Sequence, residues 1–474
     1  MKDSTTDDNQ KRVVTDQNGH AYELLEPLGS GGQGTVYATN YPGSLVKMTN
    51  AVSEENRARW LERIRELMRL PLDGLRVARP RALITSPRPG YVMQMMDGLV
   101  PLMEVMEQTH AGLSSEEGIE SYLRSGGVVR RLKILARLAE IIADIHGRGL
   151  AYGDLSPSNI YVSKSVDHSE VWLIDADNMA SQVSDLERVV YTQDYGAPEL
   201  VRSESGMNTL TDIWSFSVIA YQLLTVAHPL KGDMVNEGDP EKEEMALRGD
   251  LPWVGNLQDD SNSRTTGLPQ ELVIDKPLQR VFDRCFDQGL RKPGFRPSME
   301  EWRSVMKESV LHCATCESCG GSYIYNHNHR CSWCDHVQKR AVPVLMKEYY
   351  YTPQEILAEG MTEFALKHIV DKEVWFSTSK SIVIGGESVG LRKVPYANSF
   401  HDVSELLCKI RLTERGLHLY PGDSGRVHLQ DEMSGMINSI SHAWVLENKI
   451  RSGKSYFLHL GDMNDVHVVW RFVW

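Results

Sequence analysis

The chain has 474 residues, of which 41% are hydrophobic and 24% are charged. This length predicts about three domains, and this composition excludes wholesale disorder. The formal net charge of −13 argues against nucleic acid or an anionic membrane surface as the main partner. No apolar run is long enough to span a membrane, and the polar N-terminus lacks a signal-peptide pattern, so we expect a cytoplasmic protein.

The pattern of apolar residues predicts a polar tail, three long helices and a sheet-rich C-terminal region. Residues 1–20 are polar and are expected to form a disordered tail. Helices are predicted at 53–69, with Ser53 as the N-cap, at 128–148, and at 212–225, which is apolar on most faces. Residues 233–270 indicate a loop with one short helix. A helix is expected near 352–370, and short alternating runs predict strands from about residue 374 onward.

A glycine-rich motif occurs near the start of the globular region. Backbone N–H groups without a neighbouring Cβ can approach phosphates closely, so the motif is typical of a phosphate-covering hairpin. By itself the motif is weak, because most glycine clusters are turns. Lys47, further along, is either a surface lysine at a strand end or a cation that orients phosphates. The motif consists of Gly29, Ser30, Gly31, Gly32, Gln33 and Gly34, with Val36 following.

Two later motifs carry oxygen donors. Asp154 lies five residues before Asn159, a spacing suited to a loop that places a base beside a metal ligand. Asp175 follows the apolar residues Leu173-Ile174, and Asp177 comes shortly after it. Oxygen ligands of this kind suit Mg²⁺, which bridges phosphate oxygens.

In this order and at these separations, the motifs make residues 22–307 resemble the protein kinase superfamily. Tyr195–Glu199 looks like the end of an activation segment, and Arg296 looks like the arginine that pairs with Glu199. Asp212 looks like the aspartate that braces the catalytic loop. The resemblance implies an α+β chain whose bilobal protein kinase fold has an N-lobe at 21–98 and a C-lobe at 99–307.

The resemblance also implies ATP and Mg²⁺ as cofactors and a role for each matching residue. Lys47 would hold the α- and β-phosphates and pair with a helix glutamate, for which we choose Glu62, with Glu55 and Glu66 as alternatives. Asp154 would accept the proton of the substrate hydroxyl. The remaining roles would be phosphate cover by Gly29–Gly34 and Val36, Mg²⁺ binding by Asn159 and Asp175, the gatekeeper Met93, and an adenine hinge at Gln94, Met95 and Met96.

Several positions depart from the family pattern. Tyr152-Gly153 replaces the usual His-Arg pair, Ser156 replaces a lysine, and Asp177 replaces a glycine, where it either adds a metal ligand or disturbs the turn. Three hypotheses therefore compete. The first is Ser/Thr phosphorylation of a protein substrate, the second is a pseudokinase scaffold without turnover, and the third is a small-molecule kinase.

A cysteine cluster follows the kinase-like region, at 308–340. Cys316, Cys319, Cys331 and Cys334 form two C-x-x-C pairs, which resembles a zinc ribbon with one structural Zn²⁺. Cys313 and Cys316 form an alternative first pair. His327 and His329 lie between the pairs and are less favoured ligands, because four thiolates already complete a tetrahedral site.

Residues 341–474 are predicted to form a β-sandwich-like interaction domain. The last hundred residues or so loosely resemble a forkhead-associated domain, with Ser388 and Ser404 retained. Gly386 and Leu407 replace the arginine and histidine that support phosphothreonine binding in that family. The whole architecture resembles bacterial stress-module kinases that accompany a von Willebrand A-type protein and a type 2C protein phosphatase, which implies that the C-terminal parts dock such partners.

Overall fold

The computed structural model describes residues 12–31, 34–181, 189–325, 330–337, 343–351, 375–385, 388–392, 405–423 and 426–474. The chain divides into two compact units. The first comprises the chain up to residue 114 together with 133–268 and 279–303, and the second comprises 115–132, 269–278 and 304–474. The domain boundaries expected from the sequence, at 98, 307 and 340, stay a prediction.

Among the described residues, six antiparallel strands at the start of the first unit form a closed barrel in the order β1-β2-β3-β4-β6-β5. The barrel closes where β1 pairs with β5. Val14, Val46, Met48, Ile84 and Val92 pack together as its apolar core. The strands are β1 (Arg12–Asp16), β2 (Ala21–Ser30), β3 (Gly34–Thr39), β4 (Ser44–Thr49), β5 (Ala82–Ser86) and β6 (Gly90–Gln94).

The first barrel strand corrects the expectation of a disordered tail at 1–20 for residues 12–20, whereas residues 1–11 lie outside the described residues. Strand β1 pairs with β2 along most of its length and buries Val14 in the barrel core. Asp16 accepts hydrogen bonds from the backbone N–H groups of Asn18 and His20, which fixes the turn into β2. The strand is therefore held by its pairing with β2 and by the hydrogen bonds of Asp16, which its five residues alone do not predict.

Helix α1 (Glu54–Leu67) follows β4 and confirms the first predicted helix. The Ser53 side chain accepts a hydrogen bond from the Asn56 N–H at 3.2 Å, as expected of an N-cap. The helix buries Ile64 and Leu67. This choice of buried face decides which side chains of α1 point toward the site described below.

Among the described residues between 99 and 311, helices make up most of the regular secondary structure. Helices α4 and α6 confirm the two other long helices, and residues 233–270 contain two short helices, α7 and α8, where one was expected. No helix of the described residues is long and apolar enough to cross a membrane. The helices are α2 (Leu102–Leu113), α3 (Ile119–Arg124), α4 (Gly127–Gly147), α5 (Pro198–Val201), α6 (Thr209–Thr225), α7 (Asp233–Asn236), α8 (Pro240–Leu247), α9 (Gln270–Val273), α10 (Lys276–Asp283), α11 (Gly289–Arg291) and α12 (Met299–Leu311).

Short strands accompany these helices and carry the loops of the site. A three-stranded sheet has the order β10-β9-β7, and a two-stranded sheet joins β11 to β8. The strands are β7 (Leu99–Pro101), β8 (Leu150–Ala151), β9 (Ile160–Ser163), β10 (Val171–Leu173) and β11 (Ala180–Ser181).

The second unit contains a small hairpin and two larger sheets. The hairpin joins β12 to β13, and the two sheets have the orders β15-β14-β23-β22-β19-β20 and β16-β17-β18-β21. The strands are β12 (Cys313–Thr315), β13 (Ser322–Ile324), β14 (Val344–Tyr351), β15 (Trp375–Ile384), β16 (Val389–Arg392), β17 (Leu406–Leu412), β18 (Gly416–Pro421), β19 (Val427–Asp431), β20 (Ile437–Ile440), β21 (Trp444–Glu447), β22 (Ser455–Leu460) and β23 (His467–Val473).

The two larger sheets share one apolar core and form a β-sandwich, as the alternating pattern predicts. Met346 and Trp470 from the six-stranded sheet pack in the same cluster as Ile410 and Leu419 from the four-stranded sheet. Leu407 is buried there as well. The helix expected near 352–370, and Gly386 and Ser404, lie outside the described residues.

Candidate active site

The glycine-rich motif forms the end of a β-hairpin. Gly29 and Ser30 end β2, Gly34 begins β3, and Gly29 lies opposite Val36. Gly31 donates a backbone hydrogen bond to the Gly34 carbonyl at 2.9 Å. A Cβ on Gly34 would lie 2.6 Å from the Met48 carbonyl oxygen, so this position has no room for a side chain. Gly32 and Gln33 lie outside the described residues.

Lys47 lies on β4, is 5% exposed and forms two short ion pairs. Its Nζ lies 2.6 Å from Asp175 Oδ1 and 2.7 Å from Asp177 Oδ2. Both carboxylates follow strand β10, so the fold joins positions that are 128 and 130 residues apart. The predicted lysine and the predicted metal-ligand aspartate therefore meet in one site.

The expected pair between Lys47 and Glu62 is not present, which corrects that assignment. The Glu62 side chain is 65% exposed, and its nearest cation is Arg65 at 3.8 Å. Because α1 buries Ile64 and Leu67, the Glu62 carboxylate points to solvent. The two alternatives do not replace it, since Glu55 pairs with Arg59 and Glu66 is exposed.

Tyr91, on β6, completes the group around Lys47. Its hydroxyl donates to Asp177 Oδ1 at 2.9 Å. Burial lowers the pKa of Lys47, but the charges of Asp177 and Asp175 outweigh that effect and the net pKa is raised, so the ammonium stays protonated. Burial raises the pKa of Tyr91 well above its ordinary value, which keeps the hydroxyl as a donor.

Asp154 lies in the loop after β8 and is held by Thr192. The Thr192 hydroxyl donates to Asp154 Oδ1 at 2.7 Å, and the Asn159 amide donates to the Asp154 carbonyl at 2.9 Å. Burial raises the pKa of Asp154, and the hydrogen bond from Thr192 opposes that rise. The loop therefore holds the Asp154 carboxyl group in place, and the Asn159 side chain is tied to the same loop.

Asp212 braces the same loop from helix α6, as the resemblance implies. Its carboxylate accepts hydrogen bonds from the backbone N–H groups of Tyr152 at 2.7 Å and Gly153 at 2.9 Å. Gly153 has φ +93°, and a Cβ there would lie 2.7 Å from Met207 Sδ. This backbone conformation is a physical reason why glycine occupies the position where the family usually has arginine.

The predicted pair between Glu199 and Arg296 is confirmed. Arg296 Nη1 and Nη2 donate to the two Glu199 carboxylate oxygens at 2.7 and 2.8 Å. Arg296 also donates to the carbonyls of Gly289 and Leu210. This buried pair ties Glu199, at the end of the segment that follows Thr192, to Arg296.

The predicted hinge lies at the end of β6. Met93 pairs with Leu45 across the sheet, and Gln94 pairs with Ser44. The Met95 N–H donates to the Gly43 carbonyl at 2.9 Å. Gln94 and Met95 are exposed, and Met93 and Met96 are half-buried. Adenine binding by these residues stays a prediction.

Comparison with known proteins identifies the class. The family model for the protein kinase domain matches residues 22–302, so the chain belongs to the protein kinase family. It is 28% identical over 225 residues to the serine/threonine-protein kinase pkn2 of Myxococcus xanthus, covering 45% of this chain and 25% of that protein. It is 24% identical over 220 residues to myosin light chain kinase A of Dictyostelium discoideum, covering 46% of this chain and 70% of that protein.

A third relative, the serine/threonine-protein kinase dkf-2 of Caenorhabditis briggsae, is 28% identical over 236 residues, covering 47% of this chain and 18% of that protein. The chain thus spans a quarter or less of pkn2 and dkf-2. A protein kinase domain implies ATP and Mg²⁺ as cofactors.

Sequence reasoning did not find the contacts of Asp177 and Tyr91. Asp177 stands out in the sequence as an acidic residue at a glycine position, but its partner is not evident there. Tyr91 lies in the otherwise apolar run Tyr91-Val92-Met93 of strand Gly90–Gln94, and its hydroxyl is the one feature of that run that indicates a polar contact.

The four cysteines of the two C-x-x-C pairs form a second candidate site in the second unit. Their Sγ atoms all lie within 4.8 Å of one another. Cys316 Sγ lies 3.7 Å from Cys334 Sγ, and Cys319 Sγ lies 3.7 Å from Cys331 Sγ. A tetrahedral ion with Zn–S bonds of about 2.3 Å requires S–S separations of about 3.8 Å, so the donor set fits Zn²⁺.

The backbone around the cysteines supports this geometry. The Ser318 and Trp333 N–H groups each lie 3.4 Å from the first sulfur of a pair, Cys316 or Cys331. The alternative first pair is not favoured, because Cys313 lies outside the four-sulfur group. His327 and His329 lie outside the described residues.

Proposed function

We propose that the protein transfers the γ-phosphoryl group of Mg-ATP to Ser or Thr residues of a protein substrate. The observation that carries this proposal is the convergence of Lys47 and Asp175 at 2.6 Å, in the unit that also holds Asp154 in a braced loop. Relatives named as serine/threonine-protein kinases support the choice of acceptor.

The residues present fit the cofactors of such a reaction. Asp175 and Asn159 offer the hard oxygen donors that Mg²⁺ prefers, and would hold the ion when it is bound. The ion would neutralise charge on the phosphates. The hairpin that contains Gly29, Gly31 and Gly34 would cover the phosphates, because backbone N–H groups without a neighbouring Cβ can approach phosphate oxygens closely.

The acceptor side of the site depends on Asp154. Its carboxylate would accept the proton of the attacking hydroxyl, and the hydrogen bond from Thr192 holds it in a single orientation. The ammonium of Lys47 has three N–H donors, of which two are used on Asp175 and Asp177. A third donor remains for a phosphate oxygen.

A scaffold that binds partners without turnover is the second candidate. Ser156 favours it, because this residue is 1% exposed and supplies no positive charge at the position where Ser/Thr kinases carry lysine. The small-molecule kinase hypothesis has less support, since the Glu199–Arg296 pair and the activation-segment motif belong to protein kinases.

The test is incubation of the full chain with radiolabelled ATP, Mg²⁺ and a cell extract, beside Asp154→Asn and Asp175→Asn. We expect label on polypeptide Ser or Thr with the wild type and at least about a hundredfold less with either variant. Label on metabolites alone would support a small-molecule kinase. Nucleotide binding without transfer would support a scaffold.

We propose in addition that the second unit docks partner proteins and that its cysteine cluster holds one structural Zn²⁺. The resemblance to stress-module kinases makes a von Willebrand A-type protein and a type 2C protein phosphatase the partners to test, in a cytoplasmic setting. Calorimetry with each purified partner is the test, and the absence of heat with both would contradict this docking.

A further inference from the structure

The Asp177 carboxylate is buried and hydrogen-bonded at both of its oxygens. Its side chain is fully buried, and each of its two oxygens has a partner. Oδ2 accepts from Lys47 at 2.7 Å, and Oδ1 accepts from the Tyr91 hydroxyl at 2.9 Å. Tyr91 is itself 1% exposed. The carboxylate is therefore fixed between two strands of the barrel, β4 and β6.

Helix α1 supplies no such carboxylate. Trp60, on the helix, stacks on the Tyr91 ring with the ring centroids 5.8 Å apart. Arg63 donates to the Asn178 side chain at 3.1 Å, so its position faces the turn that contains Asp177. The α1 face directed toward the site thus carries an aromatic ring and a cation, while Glu62 is exposed to solvent.

We propose that Asp177 is the positioning residue for Lys47, taking over from helix α1 the carboxylate that orients this lysine toward phosphates. The proposal rests on the proposed function, because it concerns the lysine of that same nucleotide site. It has a regulatory consequence. Since no α1 glutamate pairs with Lys47, an outward movement of α1 would not break the ion pair that holds the lysine.

A role for Asp177 as an additional metal ligand is the competing interpretation. Both oxygens already accept hydrogen bonds from buried donors, so metal binding would require these contacts to break or to be shared. The two roles differ in their dependence on Mg²⁺. If Asp177 positions Lys47, its loss weakens nucleotide binding with or without Mg²⁺. If Asp177 is a metal ligand, its loss weakens nucleotide binding only when Mg²⁺ is present.

The experiment measures ADP binding by calorimetry on the full chain, with Mg²⁺ and with a chelator. Asp177→Asn keeps the shape of the side chain and removes its charge, and Glu62→Gln is the matched control. We expect Asp177→Asn to raise the dissociation constant about tenfold or more under both conditions, since a charge-assisted bond to Lys47 is lost. Glu62→Gln is expected to change it by less than about twofold.

A rescue separates positioning from a general loss of structure. Asp177→Gly combined with Arg63→Glu returns a carboxylate from the helix side, and should recover affinity that Asp177→Gly alone loses. Failure of Asp177→Asn to weaken binding, a loss equal to that of Glu62→Gln, or a loss confined to the Mg²⁺ condition would each overturn the proposal. Because binding is read directly, a wild type that binds ADP but transfers no phosphate would contradict the proposed function and leave this result intact.

Discussion

Removing the negative charge from the buried Glu199–Arg296 pair should destabilise the first unit strongly. The perturbation is Glu199→Gln, which preserves the size of the side chain. The Arg296 side chain is 0% exposed, so its guanidinium would remain buried without a counter-ion. Breaking a buried pair in this way costs about 3–5 kcal/mol.

The structure places the expected loss toward the lower end of that range. Arg296 keeps hydrogen bonds to the carbonyls of Gly289 and Leu210, and its guanidinium lies 4.8 Å from the Trp214 ring centroid. These contacts offset part of the lost charge. For a unit of this size, a loss of about 3 kcal/mol lowers the unfolding midpoint by about 6–12 °C.

The assay is thermal unfolding of the full chain, followed by circular dichroism. Glu204→Gln is the control, because the exposed Glu204 carboxylate pairs with Arg202 at 2.8 Å and the loss of its charge should leave the midpoint unchanged within error. Glu199→Gln combined with Arg296→Met removes both charges and should recover part of the stability. A midpoint for Glu199→Gln as close to wild type as that of the control would refute the reasoning.

Three further predictions concern other parts of the chain. Gly34→Ala should weaken ATP binding by about tenfold, because its Cβ would lie 2.6 Å from the Met48 carbonyl, whereas Gly294→Ala, outside the site and with nothing within 4 Å, should bind normally in the same titration. Metal analysis should find about one Zn²⁺ per chain, lost in Cys319→Ser and retained in Cys313→Ser; retention in both would refute the four-cysteine set. Burial and the neighbouring His467 lower the pKa of His459 to about 3. The free energy of unfolding should therefore be highest above pH 6.5 and about 2 kcal/mol lower at pH 5, because the unfolded chain then binds a proton that the folded chain does not. Urea unfolding measures this difference, and His459→Gln should reduce it.

The sequence predicts much of this site because several functional residues follow local rules. Ser53 marks a helix start, and Asp154 with Asn159 marks one loop by spacing alone. The four cysteines fall into one cluster because two C-x-x-C turns leave little freedom in how their sulfurs can meet. The pairing of Arg296 with Glu199 is also predicted correctly, because the resemblance supplies both residues.

The incorrect expectations share one cause, which is that tertiary contacts decided them. Spacing places Glu62 well inside a helix, but only packing of Ile64 and Leu67 determines that its carboxylate points to solvent. Asp177 meets Lys47 across 130 residues of sequence, and no local pattern indicates that contact. Strand β1 is stabilised by pairing with β2 and β5, and its five residues alone do not predict either contact.

The most direct test of the central claim is phosphosite mapping by mass spectrometry after incubation of the purified full chain with Mg-ATP, beside Asp154→Asn. We expect phosphate on Ser or Thr of the wild-type chain or of an added protein substrate. The first positions to inspect are Ser181, Thr192 and Ser184, the last of which lies outside the described residues. Tyr191 is inspected beside them, and phosphate on Tyr191 alone would contradict transfer to Ser or Thr. We expect no phosphate on the variant under the same conditions. Equal phosphorylation of wild type and Asp154→Asn, or none on either while both bind nucleotide, would contradict the central claim.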